Sequence, residues 1–203
     1  MYTKPKDIHL EITRRCPLAC PKCPRTIEKG SYKANTDLSL ELIQKIIKQE
    51  WHTIRLSGNL GDPIYHARAL DVFRLVSKNS IHMHLHTNGT GKKNSFWEEY
   101  YSFIKPELDV TIFGIDGLQD TSKIYRVNQN WNSSFKAMQI GAKLGHKIVW
   151  QWIAFRQNEH QIEEGKKIAE DNGIHFMLVK STRWDKNDPM KPLNKDLVAN
   201  GTF

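Results

Sequence analysis

The chain has 203 residues, 39% of them hydrophobic and 26% charged, which supplies one substantial core and excludes both a disordered chain and a string of small modules. A mean hydropathy of −0.58, with no uninterrupted apolar run of spanning length, excludes a transmembrane helix. Lys and Arg number 30 against 22 for Asp and Glu, a net charge of +8 that favours an anionic substrate, an acidic partner or nucleic acid, although the basic residues are dispersed among acids as on a solvated surface.

The stretch from Met1 to Asp7 is polar and lacks the apolar segment and cleavage site of a secretory leader, so a cytoplasmic chain is expected. Beyond it, β-branched and aromatic runs alternate with helical patterns. A strand over 8–13 leads into the cysteine segment. The spacing then predicts a helix over 39–50, entered through Ser39, with Leu42, Ile43, Ile46 and Ile47 on one face. Strands over 53–57, 82–87, 109–115, 148–155 and 175–180 alternate with helices over 67–77, 95–104, 133–144 and 161–172, the last two capped by Gly145 and Gly173. Strands joined through helices need crossover connections, so neighbours run parallel beneath a helical layer. About six such units fit, short of the ~250 residues of a complete eight-fold barrel. The expected fold is α/β, a partial (β/α)6 TIM-like barrel with parallel strands, and an open doubly wound sheet is the alternative. Residues 1–182 form this core, while 183–203, with Pro189, Pro192 and Gly201, read as a C-terminal tail or lid.

The three cysteines lie together in Cys16-Pro17-Leu18-Ala19-Cys20-Pro21-Lys22-Cys23, directly after the first strand, at the end of a parallel sheet where chemistry is placed. An odd number in a cytosolic chain argues against a disulfide framework. Three thiolates at this spacing wrap one face of a [4Fe-4S] cluster, which normally takes four, and leave one iron open. Pro17, Pro21 and Pro24 stiffen the loop. The same thiolates suit a Cys3His zinc site with a histidine from elsewhere, and three inert core thiols are a further reading.

The Cys-x3-Cys-x2-Cys spacing after the first strand of a βα chain resembles the radical S-adenosylmethionine (radical SAM) superfamily, in particular its branch of molybdenum-cofactor and peptide-maturation enzymes. The resemblance runs from residue 8 to about 180. It implies an oxidoreductase-type enzyme with a [4Fe-4S] cluster on Cys16, Cys20 and Cys23 and S-adenosyl-L-methionine (SAM) on the open iron. Reductive cleavage then gives methionine and a 5′-deoxyadenosyl radical, which abstracts hydrogen from an unidentified small-molecule or peptide substrate. Gly58-Asn59-Leu60-Gly61-Asp62-Pro63 is similar to the family's Gly-Gly-Glu-Pro segment, which implies that Gly58, Gly61 and Asp62 hold the SAM amino group, with Asp62 where Glu is usual. His86-Thr87-Asn88-Gly89-Thr90 is similar to the family's Thr-Asn-Gly, and Gly114-Ile115-Asp116-Gly117 to its Ser-Ile-Asp-Gly. Gly114 replaces a serine that contacts the SAM ribose, which leaves Thr87, Asn88 and Asp116 as candidates for that contact. Arg126 resembles an arginine that pairs with the SAM carboxylate. Lys22 departs from the aromatic or aliphatic residue usual before the third cysteine, where the adenine is touched.

On the fifth strand, alternation sets Gln151 and Ile153 on one face and Trp150 and Trp152 on the other, which makes Gln151 a candidate contact for SAM or substrate. His82, His84 and His86 share one strand face, a spacing that can make a metal site, and His86 at the active end is the better neighbour for substrate or SAM. Arg14, Arg15, Lys22, Arg25, Lys29 and Lys33 ring the cysteine loop and suit an acidic electron donor of the flavodoxin or ferredoxin type, a phosphorylated substrate or RNA. With all cysteines consumed, a short single-domain enzyme without auxiliary clusters or a catalytic cysteine is expected. No catalytic side chain is assigned. The rivals are a non-catalytic iron-sulfur or zinc module that binds RNA or a protein, and an activase that places a glycyl radical on another protein.

Overall fold

The computed structural model describes residues 6–28, 36–49, 51–80 and 82–199; Met1, Lys29, Lys33 and Gly201, named above, and the last residue of the helix expected over 39–50 lie outside them. Six strands, β1 (Asp7–Leu10), β2 (Thr53–Leu56), β3 (His82–Thr87), β4 (Val110–Gly114), β5 (Lys147–Ile153) and β6 (His175–Val179), form one sheet in chain order. Every neighbouring pair is parallel. A doubly wound sheet reverses its strand order at a switch point. This sheet never reverses, so each crossover advances in the same direction, as in a barrel segment.

The helices are α1 (Pro24–Ile27), α2 (Leu40–Ile47), α3 (Ala69–Asn79), α4 (Asn94–Tyr101), α5 (Ser122–Tyr125), α6 (Trp131–Lys143) and α7 (Ile162–Asp171). Five of them match the predicted ones with ends moved by a few residues. The two short ones, α1 and α5, have four residues each and never complete a readable apolar period. Two strands, β1 and β5, end two or three residues earlier than predicted, for local reasons. Past β1, Thr13 leaves the sheet and bridges Asp37 in the antiparallel sense. Past β5, Asn158 folds back, accepting from the Phe155 amide at 2.7 Å and donating to the Ile153 carbonyl at 3.0 Å. Gly145 and Gly173, at φ of 80° and 66°, close α6 and α7 in the left-handed conformation that other residues resist.

The period of two sorts the strand residues. One face carries Ile54, Leu56, Met83, Leu85, Phe113, Trp150 and Trp152, all fully buried under the helices, each contributing about 1.5–3 kcal/mol by leaving water. Packing is close enough that a Cβ on Gly165 of α7 would lie 2.7 Å from the Trp152 ring. Buried Asp109 binds the layers together, accepting from Ser77 of α3 at 2.7 Å and from the Met83 amide of β3 at 2.8 Å. The opposite, concave face carries half-buried His84, His86, Ile112, Gln151 and Met177. Among the described residues, no helix is long and apolar enough to cross a membrane.

Candidate active site

The cysteine segment is held where the chain leaves β1. Arg15 pairs with Asp37 at 3.1 Å, the Ala19 amide donates to the Val127 carbonyl at 3.1 Å, and Asn128 donates to the Pro17 carbonyl at 3.2 Å. Cys23 is the N-cap of α1, with Pro24 as the first helical residue, so the loop ends in a fixed turn. All three thiols are free. They share the wall of a cavity of about 370 Å³ at the strand C-termini, lined also by Gly58, Gly61, Asp62, Thr87, Asn88, Arg126 and Gln151. Among the described residues, no three His, Cys, Asp or Glu side chains converge to hold a single metal ion. The three thiols do line one cavity, and three cysteines are the number that would leave one iron of a [4Fe-4S] cluster open. Burial, with Asp62 adding to it, pushes the Cys16 thiol up to about 12, so loading this site must displace a proton.

The loop after β2 packs directly on the chain after β1. A Cβ on Gly61 would lie 2.0 Å from the Thr13 carbonyl oxygen, and one on Gly58 would lie 2.3 Å from that of Gly61. Backbone approach this close admits glycine alone. It sets the Asp62 amide 2.8 Å from the Arg15 carbonyl. The Asp62 carboxylate turns inward, at 4% exposure, and accepts from Thr87 Oγ1, the Asn88 amide and the Ile64 amide at 2.7–3.2 Å, and also from Asn88 Nδ2. Thr87 and Asn88 are thereby brought to Asp62 at the exit of β3. Asp116, fully buried at the exit of β4, is a neighbour of the cavity through Arg126, whose Nε donates to Asp116 Oδ2 at 2.7 Å.

Ten residues of the cavity wall were legible as site candidates, and the profile of the radical SAM superfamily matches residues 10–167, from the end of β1 into α7. The chain belongs to the radical SAM superfamily. It is 28% identical over 208 residues to the tungsten-containing aldehyde ferredoxin oxidoreductase cofactor-modifying protein of Pyrococcus furiosus, covering 98% of this chain and 56% of that protein. It is 22% identical over 185 residues to the PqqA peptide cyclase of Methylorubrum extorquens, covering 89% and 47%. The chain therefore spans about half the length of these curated relatives. Among solved structures, SuiB of Streptococcus suis bound to S-adenosylmethionine superposes with a TM-score of 0.76 at 15% identity, over 94% of this chain and 44% of that one. Methylornithine synthase gives 0.66 at 12%, over 93% and 58%. At such identities the likeness is one of fold, the partial parallel barrel.

Two departures of this radical SAM chain from its family's pattern, Gly114 and Lys22, have a partner in the structure. A Cβ on Gly114 would lie 2.7 Å from Arg126 Nη2, so the guanidinium occupies the place of the missing serine side chain. With Nε spent on Asp116, Arg126 turns its Nη groups over Gly114 toward the cavity. Lys22 forms an ion pair with Asp188, which is 3% exposed, and its Nζ lies 5.9 Å from the Trp184 ring centre. Residues beyond β6 thus reach the cysteine loop: Trp184 packs edge-on against Phe155 at 5.4 Å, and Arg183 Nη1 donates to Tyr125 OH at 2.9 Å. The basic rim is correspondingly reduced, since Arg15 and Lys22 are paired and Arg25 donates to the Leu18 carbonyl.

Sequence reasoning missed Ser57, Tyr125 and Arg183, which also line the cavity. Ser57 was readable, being two positions past Arg55 and so on the concave face, and its Oγ is buried without a hydrogen-bond partner among the described residues. Arg183 was hidden by the boundary drawn at Thr182. The three histidines of β3 form no metal site among the described residues, but His86 lines the cavity as expected. Burial, with His84 and His9 adding to it, pushes His86 down to about 4 from 6.5. Between those values the unfolded chain binds the extra proton, so the stability from neutral His86 is complete above 6.5 and is lost as pH falls toward 4. His86→Gln is expected to lose less of its urea midpoint between pH 7 and pH 5 than the wild type does; equal losses would place the proton uptake elsewhere.

Proposed function

We propose that the protein is a radical SAM enzyme that holds a [4Fe-4S] cluster on Cys16, Cys20 and Cys23 and SAM in the adjoining cavity. The observation that carries the reading is the gathering of three free thiols and the Arg126 guanidinium on one cavity wall at the strand C-termini. When bound there, cluster and SAM would supply, through one-electron reductive cleavage of the sulfonium, the power to abstract hydrogen from a substrate. The chain's own residues supply position and charge. Arg126, anchored on Asp116, presents its Nη groups to the SAM carboxylate. Gly58 and Gly61 allow the loop after β2 to approach the cysteine loop, with its backbone facing the SAM amino group. Gln151 and Ile153 face the cavity from β5, with Ser57 and His86 across from them, and these four meet SAM or substrate.

The substrate enters at the strand C-termini. A peptide is one candidate class, supported by the peptide cyclase relative and by the solved complex of SuiB with its precursor peptide; a small molecule is the other. Residues 1–182 act as the catalytic core and 183–203 as a lid, a division supported by the contacts of Arg183, Trp184 and Asp188 with the cysteine side of the cavity. An acidic flavodoxin or ferredoxin suits the chain's net charge of +8 as electron donor. Three unpaired thiols suit the reducing cytoplasm.

Anaerobic reconstitution with iron and sulfide tests the reading. The expected result is a brown protein whose reduced electron paramagnetic resonance (EPR) signal changes on adding SAM, with 5′-deoxyadenosine accumulating under dithionite. Stoichiometric zinc, an unperturbed signal and no 5′-deoxyadenosine would establish the non-catalytic module instead. An activase would additionally place a glycyl radical on a partner protein.

A further inference from the structure

We propose that Asn88, aligned by Asp62, donates an N–H···S hydrogen bond to the Cys16 ligand and thereby raises the reduction potential of the iron-sulfur centre, a role that rests on the cluster reading above. Three successive strand exits meet at this point: Cys16 follows β1, Asp62 follows β2 and Asn88 follows β3. Asn88 Nδ2 lies 3.6 Å from Cys16 Sγ, within hydrogen-bond range for sulfur. Its second amide proton goes to Asp62 Oδ2. Asn88 Oδ1 accepts from the Thr90 amide at 2.9 Å, and because that partner is a backbone N–H, the oxygen end of the carboxamide is fixed and the nitrogen end must face the thiol. The Asn88 backbone is pinned as well, its amide donating to Asp62 at 2.7 Å and its carbonyl accepting from Ser134 Oγ at 2.9 Å.

Asp62 is equally constrained. A carboxylate offers about four acceptor sites, and Thr87, Ile64 and the two nitrogens of Asn88 fill them. Burial pushes the Asp62 carboxyl up from its ordinary value, and the donors aimed at it hold it back and leave no free site for the ammonium of a ligand. Its work is to aim the Asn88 carboxamide. That carboxamide then stands between Asp62 and Cys16, one N–H on each. A reduced cluster carries one more negative charge than an oxidised one. An N–H dipole pointed at a ligand sulfur favours the reduced form and raises the potential, more strongly where water is excluded. Removing the amide deletes that donor and so disfavours the reduced form.

The test is EPR-monitored redox titration of the reconstituted protein without SAM. Asn88→Ala is expected to make reduction harder by about tenfold in the one-electron equilibrium, a midpoint about 59 mV more negative. An unchanged midpoint with weakened SAM binding would assign Asn88 to SAM and overturn the proposal. Should Asn88→Ala fail to assemble its cluster, pulsed EPR decides the question on protein labelled with 15N at asparagine side-chain amides, in an Asn59→Ala background. A 15N coupling to the reduced centre supports the hydrogen bond, and its absence refutes it. Failure of the wild type to assemble any cluster would be a different result, striking the underlying reading.

Discussion

Cys20→Ala is expected to abolish cluster assembly and 5′-deoxyadenosine formation together while leaving the protein folded. Cys20 is 9% exposed and packs with Leu18, Tyr125, Ile153 and Phe155, so without a bound group its thiol is a small apolar side chain of a satellite core. Trimming one heavy atom from such a site costs about 1 kcal/mol, within reach of a domain of ordinary stability. Its loss as a ligand is a different matter. Two thiolates cannot hold three corners of a cubane, and the cavity wall offers no replacement in that position: Asp62 is saturated, and His86 lies across the cavity on β3. The decisive comparison is therefore between iron content and the urea midpoint of the metal-free protein. Iron falling to background with a nearly unchanged midpoint fits the assignment. Retained iron and retained SAM cleavage would show that the triad has been misassigned, and a collapsed midpoint would make Cys20 a structural residue.

What the sequence revealed depended on the range over which each interaction acts. The cysteine triad was legible because its spacing is local. So was β5, where a period of two put Trp150 and Trp152 under the helices and Gln151 and Ile153 over the cavity, as the burial pattern has it. The strand order was legible only as far as the crossover rule, and the choice between barrel and doubly wound sheet needed the observed pairings. Gly114 read as a missing ribose-contacting serine whose role passes to other groups. In space it is room for the Arg126 guanidinium, which no local pattern announces. Lys22 looked like a poor neighbour for adenine until Asp188 appeared beside it, carried by a segment whose prolines and polar residues read as a tail. Asp62 was placed correctly at the mouth of the sheet, yet its bonds to Thr87 and Asn88 join two loops, and only the folded chain shows that the carboxylate faces inward.

Asp116→Ala is expected to be the most destabilising single change in the site. Asp116 has no exposed side-chain surface; Oδ2 accepts from Arg126 Nε and Oδ1 from the Ile153 amide, each at 2.7 Å. One carboxylate thus joins the end of β4 to the residue after α5 and to the end of β5. Removing it strands a guanidinium that is only 16% exposed, and breaking a buried pair from one side costs about 3–5 kcal/mol. For a chain of this size that lowers the melting temperature by roughly 6–20 °C, at about 2–4 °C per kcal/mol. Asp116→Asn keeps an oxygen for the Ile153 amide but removes the charge, so it should fall between wild type and alanine, the remaining gap being the cost of an unsatisfied buried N–H, about 1–3 kcal/mol. Pairing Asp116→Leu with Arg126→Met should recover much of the loss, because two apolar side chains of similar volume leave no charge behind. If the double variant is stable yet fails to bind SAM, the pair is retained for the ligand and not for the fold. An Asp116→Ala protein within 1 kcal/mol of wild type would mean that Arg126 finds water on losing its partner, and the pair would then be no anchor for the cavity wall.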